Sequence, residues 1–140
     1  MNVYIEIMEK LLAVYKCLCD ETRLRILNLL QVSPLCVCHL QHILDVSQVN
    51  VSRHLAYLKK HGILETTRFQ NWTIYTLPES PSPELDRNLA CLQDVASTEK
   101  IFKEDRKLLQ KLLKMKDVRQ ILSEGGCTLP QHSTPKKTKR

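Results

Sequence analysis

The chain has 140 residues, of which 43% are hydrophobic, a length and composition sufficient for one domain with a single core. Its three glycines and 5% aromatic residues are too few for a large antiparallel sheet protein, and no apolar run approaches the roughly 18 residues that a membrane span requires. The formal net charge of +6 falls to +2 over residues 1–135, where 17 Lys and Arg face 15 Asp and Glu, so total charge alone does not indicate nucleic-acid binding.

The first part of the chain predicts two amphipathic helices. Apolar residues recur at helical spacing over residues 3–15 and again over residues 24–30. Asp20 is the expected N-cap of the second helix. Pro34 marks its end, because proline and the residue before it disfavour helical backbone.

A short third helix and a longer fourth helix follow, with a tight connection between them. The third helix is expected over about residues 38–44, and Ser47 is the expected cap of the fourth. The fourth helix should end near Gly62, since glycine readily adopts the left-handed backbone found at helix ends. A short helix, a tight turn and a second helix with one free face form a helix-turn-helix unit, whose second helix enters the DNA major groove.

Two strands are predicted next, over residues 63–69 and 72–77, because these stretches are rich in β-branched and aromatic residues. Gln70 and Asn71 form a plausible two-residue hairpin turn between them. With Arg68 they would make a wing tip able to reach phosphate or the minor groove. The plain alternative is that the fourth helix is an ordinary amphipathic helix in a bundle, and the adjoining hairpin favours the DNA-binding interpretation.

The remainder of the chain predicts a long helical stretch over residues 84–122, with a break expected near Ser97. The whole pattern predicts a mainly α protein with a small β-hairpin, a winged helix-turn-helix. We assign it to residues 1–122 and expect a flexible basic tail over residues 123–140, where Pro, Ser, Thr and Lys dominate. Since no basic segment precedes an apolar one at the start of the chain, we expect no secretory signal and a cytoplasmic location.

The start of the fourth helix carries the side chains expected to read DNA. Gln and Asn bond the adenine edge, Arg bonds guanine, and Val can contact a thymine methyl group. Basic residues exceed acidic ones by three over residues 47–69, which is a better electrostatic argument than total charge. The expected outward set is Gln48, Asn50, Val51, Ser52 and Arg53. The expected buried seam is Leu40, Ile43, Val46, Val49, Leu55 and Leu58.

Two separated motifs resemble the ArsR/SmtB family of repressors. The sequence KCLCDETRLRIL at residues 16–27 is similar to the segment that opens the core of that family, and SQVNVSRHLAYLKKHGIL at residues 47–64 is similar to its recognition helix. The resemblance covers about residues 5–110. It implies a homodimeric repressor that leaves double-stranded operator DNA when a metal or metalloid binds, with the first and last helices at the dimer interface. It also implies operator contacts by Gln48, Ser52, Arg53 and His54.

The sequence LCVCHL at residues 35–40 resembles the Leu-Cys-Val-Cys-Asp-Leu signature of the arsenic- and cadmium-responsive branch. Thiolates are soft ligands that select soft ions. On a regular helix, residues i and i+2 point about 200° apart, so Cys36 and Cys38 can converge only where helical geometry is not yet established, just after Pro34. We also expect the helix N-terminus to lower the pKa of these thiols.

The resemblance leaves the third ligand open. Those arsenite-responsive members that have a third cysteine three residues after the pair carry it where Gln41 stands here, and trivalent arsenic prefers three sulfurs. Cys127, which follows two glycines, is the first candidate. The remaining cysteines, Cys17, Cys19 and Cys91, are expected to be small core residues.

Several alternatives keep the same fold. Cadmium, lead or zinc could bind Cys36 and Cys38 together with His39 and His42, whose spacing suits one helix face. Cys36 and Cys38 could instead form a redox switch, which their short, strained loop disfavours. The resemblance also implies a second kind of zinc site, which the family builds from histidines on the last helix. We exclude that site because residues 84–122 contain no histidine. A purely structural DNA-binding protein would show no metal response.

An enzyme is the alternative from another class. The sequence contains neither a phosphate-binding loop nor a nucleophile elbow, and it offers no convincing acid/base pair. We therefore expect no catalytic activity, and arsenite or antimonite is the leading inducer.

Overall fold

The computed structural model describes residues 2–69 and 71–115. Within these residues the chain forms six helices and a two-stranded antiparallel hairpin, in the predicted order. The elements are α1 (Val3–Leu18), α2 (Glu21–Leu30), α3 (Val37–Leu44), α4 (Gln48–Lys60), β1 (Glu65–Phe69), β2 (Trp72–Thr76), α5 (Pro83–Ala96) and α6 (Lys100–Met115). This is the winged helix-turn-helix expected from the sequence.

The helix ends lie where the local capping signals place them. The Asp20 carboxylate accepts a hydrogen bond from the backbone N–H of Arg23 at 3.0 Å, and the Ser47 hydroxyl accepts one from Asn50 at 3.2 Å. Gly62 follows α4 with a φ of 76°, a backbone conformation that costs glycine little. The long C-terminal helix breaks between Ala96 and Lys100, close to the predicted position.

The hairpin holds the start of α3. β1 and β2 pair with Glu65 opposite Thr76, and Gln70 of the predicted turn lies outside the described residues. Leu35 and Tyr75 exchange two backbone hydrogen bonds, of 3.1 and 2.8 Å. The segment just before α3 is therefore fixed to the wing by main-chain contacts.

The core lies between α2, α3 and α4 and is closed by α5 and α6. Its fully buried side chains include Leu27, Leu40 and Leu55. Arg25 of α2 donates two hydrogen bonds, of 2.7 and 2.8 Å, to the buried Asp105 carboxylate of α6. Because a bidentate pair fixes orientation as well as distance, this contact orients α6 on α2.

The expected faces of the fourth helix are wrong at two positions, Val49 and Val51. Val51, expected on the outer surface, is fully buried, whereas Val49, expected in the seam, is 70% exposed. Val51 lies four residues before Leu55 and seven before Leu58, so these three share one helix face, and Val49 lies on another. None of the described helices combines the length and the apolar character needed to cross a membrane.

Candidate metalloid site and DNA-reading surface

The two cysteines at the start of α3 converge because the first of them, Cys36, lies just outside the helix. Cys36 is the N-cap of α3, with an extended backbone (φ −101°, ψ 171°), and Cys38 lies in the first helical turn. This change of backbone conformation removes the divergence that a regular helix would impose. The two Sγ atoms lie 2.8 Å apart, at the place the sequence predicted for a thiol pair.

His39 completes a cluster with these cysteines. Its Nδ1 lies 3.0 Å from Cys36 Sγ, and the possible ligand atoms of Cys36, Cys38 and His39 all lie within 4.8 Å of one another. Two sulfurs and an imidazole nitrogen form a donor set that suits soft and borderline ions. The cluster is largely buried, which shields it from water.

His39 is neutral and its proton can be placed. The backbone N–H of Cys36 donates a hydrogen bond to His39 Nδ1 at 3.2 Å, so Nδ1 carries the lone pair and the ring proton lies on Nε2. Burial, assisted by the nearby His42, lowers the pKa of His39 to about 4. In the absence of an ion, His39 thus acts as a cap for the first turn of α3.

The expectation of a lowered thiol pKa is wrong for Cys36. Burial raises the pKa of this thiol, and hydrogen bonds from backbone N–H groups at positions 39, 38 and 36 offset only part of the effect. Desolvation of the thiolate therefore exceeds the stabilisation that the helix N-terminus provides. An incoming ion has to displace a proton from Cys36.

His42 does not join the cluster. Its side chain is exposed, although its spacing from Cys38 and His39 suits a common ligand set. The sequence pattern predicted both histidines as candidate metal ligands. Among the described residues, only His39 lies with Cys36 and Cys38. Cys127, the predicted third sulfur, lies outside the described residues.

The other cysteines divide between core and surface. Cys17 is fully buried, as expected. Cys19 and Cys91 are exposed, and the expectation that they are core residues is wrong. Cys19 follows the last residue of α1, and Cys91 lies beside rather than on the inward face of α5, which is formed by Leu85, Leu89, Leu92 and Ala96.

Most of the expected DNA-reading side chains lie at the surface. Gln48, Ser52 and Arg53 are exposed at the start of α4. Asn50 is half-buried, and its side-chain oxygen accepts a hydrogen bond from Arg53. Arg68 on β1 and Asn71 at the hairpin end are exposed as well.

His54 points elsewhere. Its Nδ1 lies 3.3 Å from a guanidinium nitrogen of Arg23 and 3.8 Å from the Asp20 carboxylate, both at the start of α2. Burial lowers the pKa of His54, with further lowering by Arg23 and Arg53 and an opposing effect of Asp20. The contact between Arg23 and His54 was not predicted from the sequence. The only sequence signal at Arg23 was its place in the motif at residues 16–27.

Comparison with known proteins agrees with this arrangement. Residues 20–66 match a family model described as bacterial regulatory protein, arsR family. Over 70 residues the chain is 49% identical to the arsenic resistance transcriptional regulator ArsR1 of Pseudomonas putida, an alignment covering 49% of this chain and 55% of that protein. Over 89 residues it is 32% identical to the arsenical resistance operon repressor of Bacillus subtilis, covering 62% of this chain and 85% of that repressor.

A solved structure with the same fold comes from Mycobacterium bovis. It is the homodimeric winged helix-turn-helix DNA-binding domain of Mb0332, a possible ArsR-family regulator, with a TM-score of 0.59. Identity is 24%, and the match covers 69% of this chain and 87% of that one, so the likeness bears on the fold alone. The match to the Pseudomonas putida regulator spans only about half of that protein. On the family model and the Bacillus subtilis relative together, the chain belongs to the ArsR family of bacterial regulatory proteins.

Proposed function

We propose that this protein is a DNA-binding transcriptional repressor that leaves its operator when trivalent arsenic or antimony binds cysteine thiolates. The observation that carries the proposal is the convergence of Cys36 and Cys38 in the first turn of α3, one short helix before α4. The arsenic-resistance regulators among its relatives support the same class of inducer. The protein would act in the cytoplasm, and we assign it no catalytic role.

The DNA-reading surface would be the exposed start of α4 together with the wing. Gln48, Ser52 and Arg53 are free to reach base edges or phosphates. Val49 takes the place of the buried Val51 as the candidate for contact with a thymine methyl group, because it is the valine that faces solvent. Arg68 would reach the backbone or minor groove, with the hairpin turn at Gln70 and Asn71.

The thiol cluster is well placed to disturb this surface. α3 packs directly against α4, and the buried Leu40 and Ile43 of α3 share one core with Leu55 and Leu58 of α4. An ion held by Cys36 would alter the N-cap of α3. The packing of α3 against α4 would change as a result. A coupling of about 1–3 kcal/mol would lower DNA affinity roughly 5- to 150-fold.

The third sulfur for trivalent arsenic is proposed to be Cys127. Among the other cysteines, Cys17 is fully buried and Cys19 and Cys91 are exposed, and none of them belongs to the cluster around Cys36. Cys127→Ser should weaken arsenite binding while leaving DNA binding unchanged. An unchanged arsenite affinity in that variant would show that Cys127 is not an arsenic ligand.

A homodimer is proposed because α1 exposes an apolar face. Such a face is normally covered in a stable soluble protein. Leu108 of α6 is also partly exposed and would extend the interface to the last helix. Ile7→Glu should yield monomers in sedimentation experiments without unfolding the chain. The exposed large apolar residues of α1 are Val3, Tyr4, Ile5, Ile7, Leu12 and Tyr15.

The experiment that tests the proposal follows DNA release. A duplex enriched from a random-sequence pool by the ion-free, reduced protein serves as the probe, labelled for fluorescence anisotropy. Arsenite should release the wild-type protein and the Cys91→Ser control, and it should leave Cys36→Ser bound. Release of Cys36→Ser at wild-type arsenite concentrations would contradict the proposal, as would failure of the wild-type protein to enrich any duplex.

A second candidate inducer is favoured by His39. Its Nδ1 lone pair faces Cys36 Sγ at 3.0 Å, and an imidazole nitrogen is a common ligand of zinc and cadmium. The same fold would then sense cadmium, zinc or lead through Cys36, Cys38 and His39. His39→Gln retains a capping acceptor and should weaken cadmium binding but not arsenite binding, which isothermal titrations with each ion would separate.

A further inference from the structure

The Arg23 side chain joins the end of α1 to the start of α2. Its Nε donates to the carbonyl oxygen of Cys17 at 2.8 Å, and one terminal nitrogen donates to that of Lys16 at 3.0 Å. The carbonyl groups of a last helical turn lack partners within their own helix, and a cation placed there also complements the helix dipole. Arg23 therefore caps α1 from outside that helix.

The same guanidinium contacts α4 on a single face. Its central carbon lies 4.5 Å from the centroid of the Tyr57 ring, a cation–π distance. Its other terminal nitrogen lies 3.3 Å from His54 Nδ1, and since arginine can only donate, the Nδ1 atom accepts. Residues 54 and 57 are one helical turn apart, so one planar cation contacts both.

The Arg23 contacts connect α1 to α4, two helices that core packing links only weakly. α4 packs chiefly on α2 and α3, whereas α1 packs on α2 and α5. α1 carries the exposed apolar face proposed for the dimer, and α4 carries the side chains proposed to read DNA. In a dimeric helix-turn-helix protein, the distance between the two recognition helices sets the spacing of the DNA half-sites.

We propose that Arg23 is a positioning residue that fixes recognition helix α4 relative to the dimer helix α1, with His54 as its acceptor on α4 rather than an operator contact. This inference rests on the proposed function, because it needs DNA binding by a dimer. Lysine cannot replace Arg23, because a single ammonium group lacks the planar fork that spans two carbonyls, an imidazole nitrogen and an aromatic ring.

Four variants separate positioning from direct contact. Arg23→Lys keeps the charge and loses the fork. His54→Asn keeps a hydrogen-bond acceptor near the position of Nδ1, His54→Phe keeps a ring without an acceptor, and Tyr57→Phe keeps the aromatic face as a control. Each protein is measured in its ion-free, reduced form, and thermal unfolding and sedimentation verify folding and dimerisation.

DNA affinity is measured on the enriched duplex at several salt concentrations and on duplexes with one base pair added or removed between the half-sites. Arg23→Lys and His54→Phe should weaken binding about tenfold, the usual effect of losing a hydrogen bond to a charged group. Their slope of log affinity against log salt should remain that of wild type, and their preference for one half-site spacing should decrease. His54→Asn and Tyr57→Phe should bind within about threefold of wild type, since each keeps the contact with Arg23.

Three results would overturn the inference. Wild-type affinity and spacing preference in both Arg23→Lys and His54→Phe would show that the link does not position α4. Equal losses in His54→Asn and His54→Phe would indicate a direct DNA contact, as would a salt slope reduced by about 0.9, the value expected for one lost phosphate contact. If Arg23→Lys fails to fold, the two His54 variants decide. A wild-type protein that binds no duplex would instead reject the proposed function itself.

Discussion

The chain contains two Cys-x-Cys pairs with the same spacing and opposite structural outcomes. At the end of α1, Cys17 is fully buried and Cys19 is exposed, so the two thiols diverge. At the start of α3, the Sγ atoms of Cys36 and Cys38 lie 2.8 Å apart. Spacing alone therefore does not make a thiol site, and the backbone conformation at the first cysteine decides the outcome.

The backbone differs because of where each pair lies relative to a helix. Cys17 lies within the last turn of α1, where the side chain of residue i+2 points away from that of residue i. Cys36 is an N-cap in extended conformation, held on its N-terminal side by the pairing of Leu35 with Tyr75. The wing thus helps to create the site that we propose to control DNA binding.

The largest expected effect comes from replacing the second cysteine of each pair. Cys38→Ser should weaken arsenite binding about 100-fold or more, since changes merely behind a ligand already cost about 10- to 100-fold in other sites. Cys19→Ser, the matched change in the other pair, should bind arsenite like wild type. Competition with a small dithiol measures both affinities, and similar values in the two variants would refute the distinction between the pairs.

The α3 pair also differs in having a buried histidine, which predicts a pH effect on stability. The pKa of His39 is lowered from 6.5 to about 4, so between these values the unfolded chain binds the proton more tightly than the folded one. The contribution of His39 to the free energy of unfolding is fully present above about pH 6.5. Roughly 3 kcal/mol of this free energy is lost as the pH falls to about 4. Urea unfolding of the ion-free, reduced protein at several pH values measures this loss.

Two variants isolate the histidine in that experiment. His39→Gln should flatten the pH dependence between about pH 6.5 and 4, because its amide does not titrate. His42→Gln changes an exposed neighbour and should retain the wild-type profile. Parallel profiles for wild type and His39→Gln would show that His39 is not protected from protonation in the folded state.

A moderate effect is expected from the buried thiol of α1. Cys17 is fully buried among core residues, so Cys17→Ser places a hydroxyl in an apolar environment and should lower the free energy of unfolding by about 1–3 kcal/mol. Arsenite affinity should not change. A loss of arsenite binding without a loss of stability would return Cys17 to the ligand set.

The smallest effect is expected from the two exposed cysteines. Cys19→Ser and Cys91→Ser should each change the free energy of unfolding by less than about 0.5 kcal/mol, as is usual for surface positions. Both variants should also release DNA at wild-type arsenite concentrations. A larger destabilisation of Cys91→Ser would indicate that this face of α5 is covered in the assembled protein.

Elements with local signals were the part of the fold that could be predicted from the sequence. Asp20, Ser47 and Gly62 act within their own helix ends, and the thiol pair after Pro34 depends on a nearby change in backbone conformation. The exchange of Val49 and Val51 was open to sequence reasoning, because only Val51 stands at the i, i+4, i+7 spacing with the two buried leucines of α4. Val49 lies two residues earlier, about 200° around the helix, and therefore faces solvent.

Contacts between distant residues were beyond sequence reasoning. Arg23 and His54 are 31 residues apart, and nothing in their neighbourhoods indicates that one caps a helix while bonding the other. The raised pKa of Cys36 has the same origin, because burial by the folded chain exceeds a local helix effect that the sequence did suggest. The exposure of Cys91 likewise depends on which face of α5 packs inward.

The most direct test of the central claim is an arsenite titration of the fully reduced protein, followed by ultraviolet sulfur-to-arsenic absorption. Saturation at one ion per subunit is expected for wild type and for the double variant Cys17→Ser, Cys19→Ser, with loss of the signal in Cys36→Ser. Saturation that survives in Cys36→Ser, or disappears in the double variant, would contradict the assignment of the arsenic site to Cys36 and Cys38. No absorption change in the wild-type protein would contradict a thiolate site for arsenic altogether.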